Sequence, residues 1–382
     1  MILQDFLDAK PLYYDEIDYA RMPKVYEKIK SHFTKVKIIH LIGTNAKGTT
    51  GRFLASALHA KGYKTGHFTS PHISAFNERI WLDGKNISDG DLEESHQKLL
   101  TLLSDEDASS LSYFEYTTFL AMIAFKESEY IVLEAGLGGE HDATAVFDKI
   151  LTLVTPIGMD HEAFLGNTIT EIATTKMNAI QNNAILAFQN NEDVYRAARN
   201  IALKKGVKIY NINDYIDERD EIKIQNISKQ LSLPPYLQDN LSLAISALKF
   251  LNIEYTENDF NDSKLFGRLS KLSENILVDV GHNVLAASSI LTALSGEKYI
   301  LVYNSYKDKN YKEILTLLKP IILHVEIIDI QDKRIVEKEL LQSTLEELDI
   351  QYTQFKKTNK DYKYLVFGSF SVVEKFLNLY KK

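Results

Sequence analysis

The 382-residue chain contains no cysteine. That excludes disulfides, thiolate metal sites and a cysteine nucleophile. Only 7 prolines are present, and no proline-rich or other low-complexity tract interrupts the chain. No apolar run reaches the roughly 18 residues that a membrane-spanning helix needs. Positive charge is also short: 44 Lys and Arg stand against 52 Asp and Glu, a net charge of −8. A general nucleic-acid binder needs a phosphate-neutralising basic surface, so the charge argues against that class. Any anionic substrate must instead be met by local positive charge. Residues 1–8 carry early acids and no basic-then-apolar secretion pattern, and the expected location is the cytoplasm.

What is present is a globular composition, 45% hydrophobic and 25% charged, in a chain long enough for two cores. Short apolar runs alternate with amphipathic stretches. Strands are expected at 37–42, 64–69, 130–135, 150–155, 184–188 and 207–210. Helices are expected at 48–61, 91–103, 114–127, 168–180, 191–204 and 238–251. This rhythm predicts an α/β fold with a mostly parallel sheet, whose ligands gather at the carboxyl ends of the strands. The stretch 252–266 is polar and without strong period. A second α/β rhythm follows: strands 275–280, 298–303, 322–329, 350–354 and 363–368, with helices 284–295, 311–318, 334–346 and 371–380. The expected division is a domain over 1–260, a linker at 261–266 and a smaller α/β domain over 267–382.

The residues with chemistry follow the strands. Gly43-Thr44-Asn45-Ala46-Lys47-Gly48-Thr49-Thr50 joins an apolar strand to a helix. Backbone N–H groups at a helix N-terminus favour phosphate, Lys47 can neutralise it, and Thr49 or Thr50 can ligate Mg²⁺. The strict phosphate loop has glycines where Leu41 and Ala46 stand here, and a plain strand-to-helix turn is the competing reading. Ser70-Pro71 presents a hydroxyl after the next strand. Glu134 ends a buried strand before Gly136-Leu137-Gly138-Gly139, an oxygen donor suited to a hard cation beside glycines that allow close backbone approach. Asp160-His161 stands at an equivalent strand end, with His161 a possible nitrogen ligand to a second metal and Asp160 its orienting partner. Asp279-Val280-Gly281-His282-Asn283 ends the first strand of the second rhythm, and Arg268 just before it can reach a phosphate. Nothing in spacing or composition distinguishes Lys176.

Taken together and in order, GTNAKGTT (43–50), TSPHISAFNERI (69–80), Tyr113-Phe114-Glu115, LEAGLGGEHDAT (133–144), IGMDHEAFLGNTITEIATTK (157–176), FGRL (266–269) and DVGHN (279–283) resemble the folylpolyglutamate synthase/dihydrofolate synthase family of the Mur-ligase superfamily. The resemblance spans nearly the whole chain. It implies a phosphate-loop ATPase-type N-terminal domain plus a smaller Rossmann-like C-terminal domain. It implies an ATP-dependent ligase that joins L-glutamate to dihydropteroate or reduced folate through an acyl phosphate, as a cytoplasmic monomer. By motif, Asn45, Ala46, Lys47, Gly48, Thr49, Thr50, Asn240, Arg268 and Asp279 match nucleotide contacts. Ser70, Glu134 and His161 match Mg²⁺ ligands, for one ion or two. Lys176 matches a lysine carrying a CO₂-derived carbamate, and His282 matches an active-site residue. Pteroate contacts fall on Asp18, Tyr19 and Ala20, on Leu111, Ser112, Tyr113 and Phe114, and on Glu140, His141 and Asp142. Aromatic side chains there suit stacking on a flat pterin.

The sequence also departs from the family pattern. Ala46 replaces a glycine, and because a left-handed alanine costs roughly 1 kcal/mol, an ordinary φ or a slightly reshaped loop is expected. Glu140 replaces an arginine and Ala145 an asparagine. Val280-Gly281 replaces Gly-Ala before His282, and the glutamine expected at 237 is Leu237, with Gln238 beside it. These changes leave room for a Mur-like ligase acting on a non-pterin carboxylate, or for a nucleotide-binding homologue without catalysis. The intact Lys47, Glu134, His161 and Lys176 argue against the latter.

Overall fold

The computed structural model describes residues 2–10, 18–33 and 35–380. It divides into two compact units. The first holds Met1–Ile157, Glu162–Leu233 and Leu237–Lys264; the second holds Gly158–His161, Pro234–Tyr236 and Leu265–Lys382.

The first unit begins with α1 (Leu3–Asp8) and α2 (Arg21–Ile29), then β1 (Lys37–Ile42), α3 (Lys47–Ala60), β2 (Thr65–Phe68) and the hairpin β3 (Ile80–Leu82) and β4 (Lys85–Asn86). Next come α4 (Asp89–Leu102), α5 (Asp105–Ser110), α6 (Tyr113–Ala124), β5 (Tyr130–Glu134) and β6 (Leu151–Val154). The unit continues through α7 (Glu162–Leu165), α8 (Ile169–Met177), β7 (Asn183–Leu186), α9 (Glu192–Lys205), β8 (Lys208–Asn211) and α10 (Glu218–Leu231). α11 (Pro235–Phe250) has its first two residues in the second unit and the rest in the first.

Its eight strands run in the order β4-β3-β2-β5-β1-β6-β7-β8, parallel except for the β3–β4 edge. β1 is central: Leu41 pairs with Glu134 on one side, and Ile42 with Val154 on the other. The central strands are buried along their length, as expected of a parallel sheet covered on both faces. Several helices start where a side chain satisfies the first N–H groups. Ser112 with Glu115 opens α6 and Thr168 with Glu171 opens α8, each a capping box. α3 is buried on every side from Gly48 to Leu58, which its small residues permit; a Cβ at Gly51 would lie 2.5 Å from the His67 ring. One apolar core gathers Leu7, Val25, Ile38, Phe68, Phe119 and Leu133. Another gathers Ile42, Val154, Ile172, Leu186 and Val194.

The second unit contains β9 (Ser270–Ser273), β10 (Ile276–Val278), α12 (Val284–Leu294), β11 (Tyr299–Tyr303), α13 (Tyr311–Leu318), β12 (Ile322–Ile327), α14 (Lys338–Glu347), β13 (Tyr352–Gln354), β14 (Tyr364–Phe367) and α15 (Phe370–Tyr380). Its six strands run β13-β12-β11-β14-β10-β9, parallel except for β9 at the edge. Its core gathers Ile290, Leu301, Tyr303, Leu315, Val325, Leu341 and Phe367.

The expected strands and long helices appear within a few residues of their expected ends, although α14 starts at Lys338 rather than 334. The rhythm missed α1, α2, α5, α7, α10, β9 and the β3–β4 hairpin. That hairpin turns on Asp83 and Gly84, both at positive φ, an Asp-Gly signal visible in the sequence. The polar stretch from 252 is packed rather than loose. Tyr255, Phe260 and Ser263 are buried, and Lys61 pairs with Asp259 at 3.2 Å.

Phe119 is fully buried, its ring 5.9 Å from that of Phe33 and 6.3 Å from that of Phe147. Phe119→Ala is expected to cost about 3–5 kcal/mol of stability, read by urea denaturation.

Candidate active site

The loop after β1 is held from behind by the end of β6. Thr155 Oγ1 donates to Asn45 O (2.6 Å), with Ile42 O 3.1 Å away, while Pro156 O accepts from Thr44 N and Asn45 N. Gly43 sits so close to this wall that a Cβ would lie 1.9 Å from Thr155 Oγ1. Ala46 then adopts φ 72° and ψ −9°, a left-handed residue at the head of α3. The expectation of an ordinary φ there is wrong. The hydrogen bonds on both sides of Ala46 explain why: its carbonyl accepts from Thr50 N and Thr49 Oγ1, and the Asn45 carbonyl is fixed by Thr155. A cost of roughly 1 kcal/mol is tolerated when the surroundings over-determine the conformation.

Two lysines converge on this loop. Lys47 Nζ donates to Gly43 O (3.1 Å) and Thr44 O (3.2 Å). Lys176 Nζ, buried on α8, donates to the same Gly43 O at 3.1 Å. Asn240 on α11 reaches Thr49 Oγ1 at 2.7 Å. Gly48 and Thr50 are buried; the Thr50 hydroxyl has no hydrogen-bond partner among the described residues.

Glu134 ends β5 beside β1 and is buried. Its carboxylate accepts from Thr69 Oγ1 and from Ser70 N (3.3 Å) at the end of β2. The Ser70–Pro71 peptide is cis. The glycines that follow Glu134 are spaces for neighbours. A Cβ at Gly136 would strike the Phe114 ring at 2.5 Å, and one at Gly139 would lie 2.3 Å from Lys176 O. The glycine loop therefore lies directly on the backbone that carries Lys176, and Glu140 N adds a bond to Thr175 O. Within the first unit, Asn45–Thr50, Ser70, Glu134, Lys176 and Asn240 all lie at or beside the carboxyl ends of β1, β2 and β5. That is where an open α/β sheet binds ligands.

In the second unit, the buried Asp279 carboxylate accepts from Gly281 N (2.7 Å), Leu269 N (2.8 Å) and Tyr236 OH (3.0 Å). Burial pushes its pKa up, against the pull of Arg268 and these donors. Arg268 itself stacks on Phe370, 5.3 Å from the ring centre. Asp160 is also buried. Burial alone would raise its pKa, but electrostatic interaction with His161, Lys309 and His282 holds it well below the carboxylate range. His161 has a positive φ of 54°, and its N–H is held by Asp160. His282 Nδ1 lies 3.2 Å from Val280 O.

No protein-family model matches the chain. It is 37% identical to the folylpolyglutamate synthetase of Helicobacter pylori, a solved structure that it matches with a TM-score of 0.80 over 99% of this chain and 98% of that one. The curated dihydrofolate synthase/folylpolyglutamate synthase of Escherichia coli is 30% identical over 305 residues, 75% of this chain and 71% of that protein. The E. coli FolC structure in complex with DHPP and ADP matches in fold, with a TM-score of 0.81 at 24% identity over 99% and 97% of the two chains. The chain belongs to the folylpolyglutamate synthase/dihydrofolate synthase family.

The positions that match the family's pteroate contacts divide by environment. Tyr19 and His141 are exposed, with ring centres 4.4 Å apart. Asp18 caps its own turn through Ala20 N. Tyr113 packs edge-on to Phe76, and the Arg79 guanidinium lies 5.3 Å from its ring centre. Phe114 packs against Phe68 and Gly136. Leu111 is fully buried, its carbonyl accepting from Lys10 at 2.7 Å, and Ser112 caps α6. The Asp142 carboxylate is spent inside the protein on Leu137 N and on the N–H and hydroxyl of Thr144, which in turn meets His40 Nε2 at 2.7 Å. Asp142 thus shapes the glycine loop from beneath. Glu140, the departure from the family arginine, accepts from Asn178 Nδ2 at 2.7 Å.

Sequence reasoning missed Thr155, Arg79, Tyr236 and Lys309 as site-forming residues. Arg79 lay within the recognised TSPHISAFNERI run, and its bond to His72 Nδ1 (2.8 Å) marks it. The others carry no local signal.

Ala46→Gly removes the left-handed strain and is expected to hold or raise stability, by up to about 1 kcal/mol, in urea denaturation. A clear loss would mean that the Ala46 methyl packs usefully. A second expectation concerns Lys149, buried beside Asp142, its pKa lowered chiefly by burial from 10.5 to about 8. Between those values the unfolded chain holds the additional proton, so Lys149 makes stability climb as pH rises through that window. In Lys149→Met, thermal melts from pH 8 to 10.5 should show a shallower climb than in the parent chain.

Proposed function

We propose that the chain is an ATP-dependent carboxylate–amine ligase that joins L-glutamate to dihydropteroate or a reduced folate. The observation that carries this reading is the pair of lysine amines, Lys47 and Lys176, on the Gly43 carbonyl at the head of α3. Two lysine amines sharing one oxygen at the N-terminus of a helix form a place for an anion. Family membership supports the acceptor, and FolC of E. coli has been solved with DHPP and ADP bound.

A carboxylate resists attack by an amine. Transfer of the ATP γ-phosphoryl group to its oxygen gives an acyl phosphate, with ADP as the leaving group. The glutamate amine then adds to the acyl carbon, loses a proton, and the tetrahedral intermediate expels phosphate. The protein's share of this work is positioning and charge. Lys47 exchanges the carbonyls of Gly43 and Thr44 for phosphate oxygens. Asn240 orients the Thr49 hydroxyl.

Magnesium fits the donors. Glu134, Ser70 and the threonines offer oxygen, and no group of three or more His, Cys, Asp or Glu that could hold a metal occurs among the described residues. A cation held by one carboxylate, hydroxyls, water and substrate phosphates is the usual magnesium arrangement. Ser70 and Glu134 would hold it, with His161 the proposed donor to a second ion. When bound, magnesium neutralises charge on the transferring phosphoryl group.

Lys176 is proposed to carry a carbamate, formed when its neutral amine adds to CO₂ and releases a proton. Lys176 is buried beside the Gly43 carbonyl, at the head of α3. Arg268 and Asp279 are proposed as nucleotide contacts of the second unit, and His282 as its active-site histidine. We place the protein in the cytoplasm as a monomer; no helix among the described residues is long and apolar enough to cross a membrane.

The test is phosphate release from ATP with L-glutamate, first with dihydropteroate and then with tetrahydrofolate. Stimulation by at least one acceptor is expected; none by either would overturn the reading. Lys47→Ala should lower kcat by about a hundredfold, the scale of losing one charge-stabilising donor.

A further inference from the structure

We infer that Lys309 is a positioning residue for the reaction, acting through Asp160 on His161 and His282. The inference rests on the ligase reading above, in which both histidines serve the chemistry.

All four residues belong to the second unit. Lys309 lies on the loop between β11 and α13, and its Nζ stands 2.6 Å from Asp160 Oδ1. Both side chains are only 6% exposed. The other oxygen, Oδ2, accepts from Asn283 Nδ2 at 3.1 Å, and Asn283 also caps α12 through Ala286 N. One anchor on each oxygen fixes the carboxylate's rotation. The fixed carboxylate then presents Oδ2 to two imidazoles, with His282 Nε2 and His161 Nε2 each 3.9 Å away. The His161 N–H is tied to Oδ1 at 2.9 Å, so the backbone at the positive-φ histidine is set by the same group.

A buried carboxylate is costly unless it is paired and hydrogen-bonded. Lys309 supplies the pairing charge. Its other salt-bridge partner among the described residues, Asp308 at 3.4 Å, is largely exposed. A buried lysine that only closed a loop would not need to reach a carboxylate shared by two histidines. Removing a partner that orients a metal-ligating histidine costs about 10- to 100-fold in metal affinity or activity.

The test uses the full chain. Lys309→Met should lower kcat between about tenfold and about a hundredfold while the KM for ATP moves by less than about twofold. Lys309→Arg, which keeps the charge, should recover most of the loss. If the lysine acts through Asp160, Lys309→Met combined with Asp160→Asn should be no slower than Asp160→Asn alone. Wild-type kcat in Lys309→Met, or additive losses in the double variant, would overturn the inference. A readout independent of turnover comes from the ring ¹⁵N signals of the 10 histidines. In Lys309→Met and Lys309→Arg without substrates, displacement confined to His161 and His282 in the Met variant supports the role; unmoved signals refute it. Should the parent chain show no pterin-dependent phosphate release, the ligase reading fails by itself, and the ring signals still decide what Lys309 does.

Discussion

The structure around the candidate site depends on one backbone carbonyl, that of Gly43. Lys47 and Lys176 both donate to it at 3.1 Å, which keeps the two nitrogens within about 6 Å of each other. If both carry charge, their repulsion is on the order of 3 kcal/mol at an effective dielectric of about 20. An arriving phosphate relieves it, and so does conversion of one amine to a carbamate. Nor can the carbonyl move aside. Gly43 is wedged against Thr155, whose hydroxyl also holds Asn45, so the loop is clamped between the ends of β1 and β6. The binding of an anion at the head of α3 and the chemistry proposed for Lys176 are thus two answers to one electrostatic problem.

The clamp also accounts for Ala46. A loop with Asn45 O and Ala46 O both engaged has little freedom in φ, and the alanine takes the left-handed conformation despite its Cβ. Two further close approaches carry the constraint outward. Gly139 rests on the Lys176 backbone and Gly136 on the Phe114 ring. The glycine loop therefore joins the helix bearing Lys176 to the aromatic groups at the start of α6. Asp142, tied to Leu137 N and to Thr144, fixes that loop from below.

The strands and the residues at their ends were legible in the sequence because both signals are local. An apolar run followed by glycine, lysine or a carboxylate places a chemical group at the edge of a parallel sheet without knowledge of the neighbours. The conformation of Ala46 was not legible, because propensity argued for an ordinary φ while the deciding bonds come from Thr155, more than a hundred residues away. The same holds for Lys309, which sits 149 residues from Asp160, and for Asn240, 191 residues from Thr49. Asn240 was matched by motif alone; Lys309 lies outside the motif runs quoted for the family resemblance, and its contact with Asp160 is visible only in the fold. The hairpin at Asp83-Gly84 is a different kind of miss, since its turn signal was local and present.

The exchange of arginine for Glu140 reverses the charge of the side chain at that position. In the structure the Glu140 carboxylate is engaged by Asn178 at the end of α8, and the Asn178 carbonyl accepts from Lys205. With Glu140 N bonded to Thr175 O, residue 140 pins the glycine loop to the helix that carries Lys176. Positive charge near the aromatic cluster comes instead from Arg79. It is buried, 5.7 Å from the Phe76 ring centre and 5.3 Å from that of Tyr113. A guanidinium held over aromatic faces keeps its charge and its planar donors, whereas a carboxylate bonded to a neighbouring amide projects less of its own field. The departure at 140 therefore changes what secures the loop more than it changes the charge offered beside the aromatic groups.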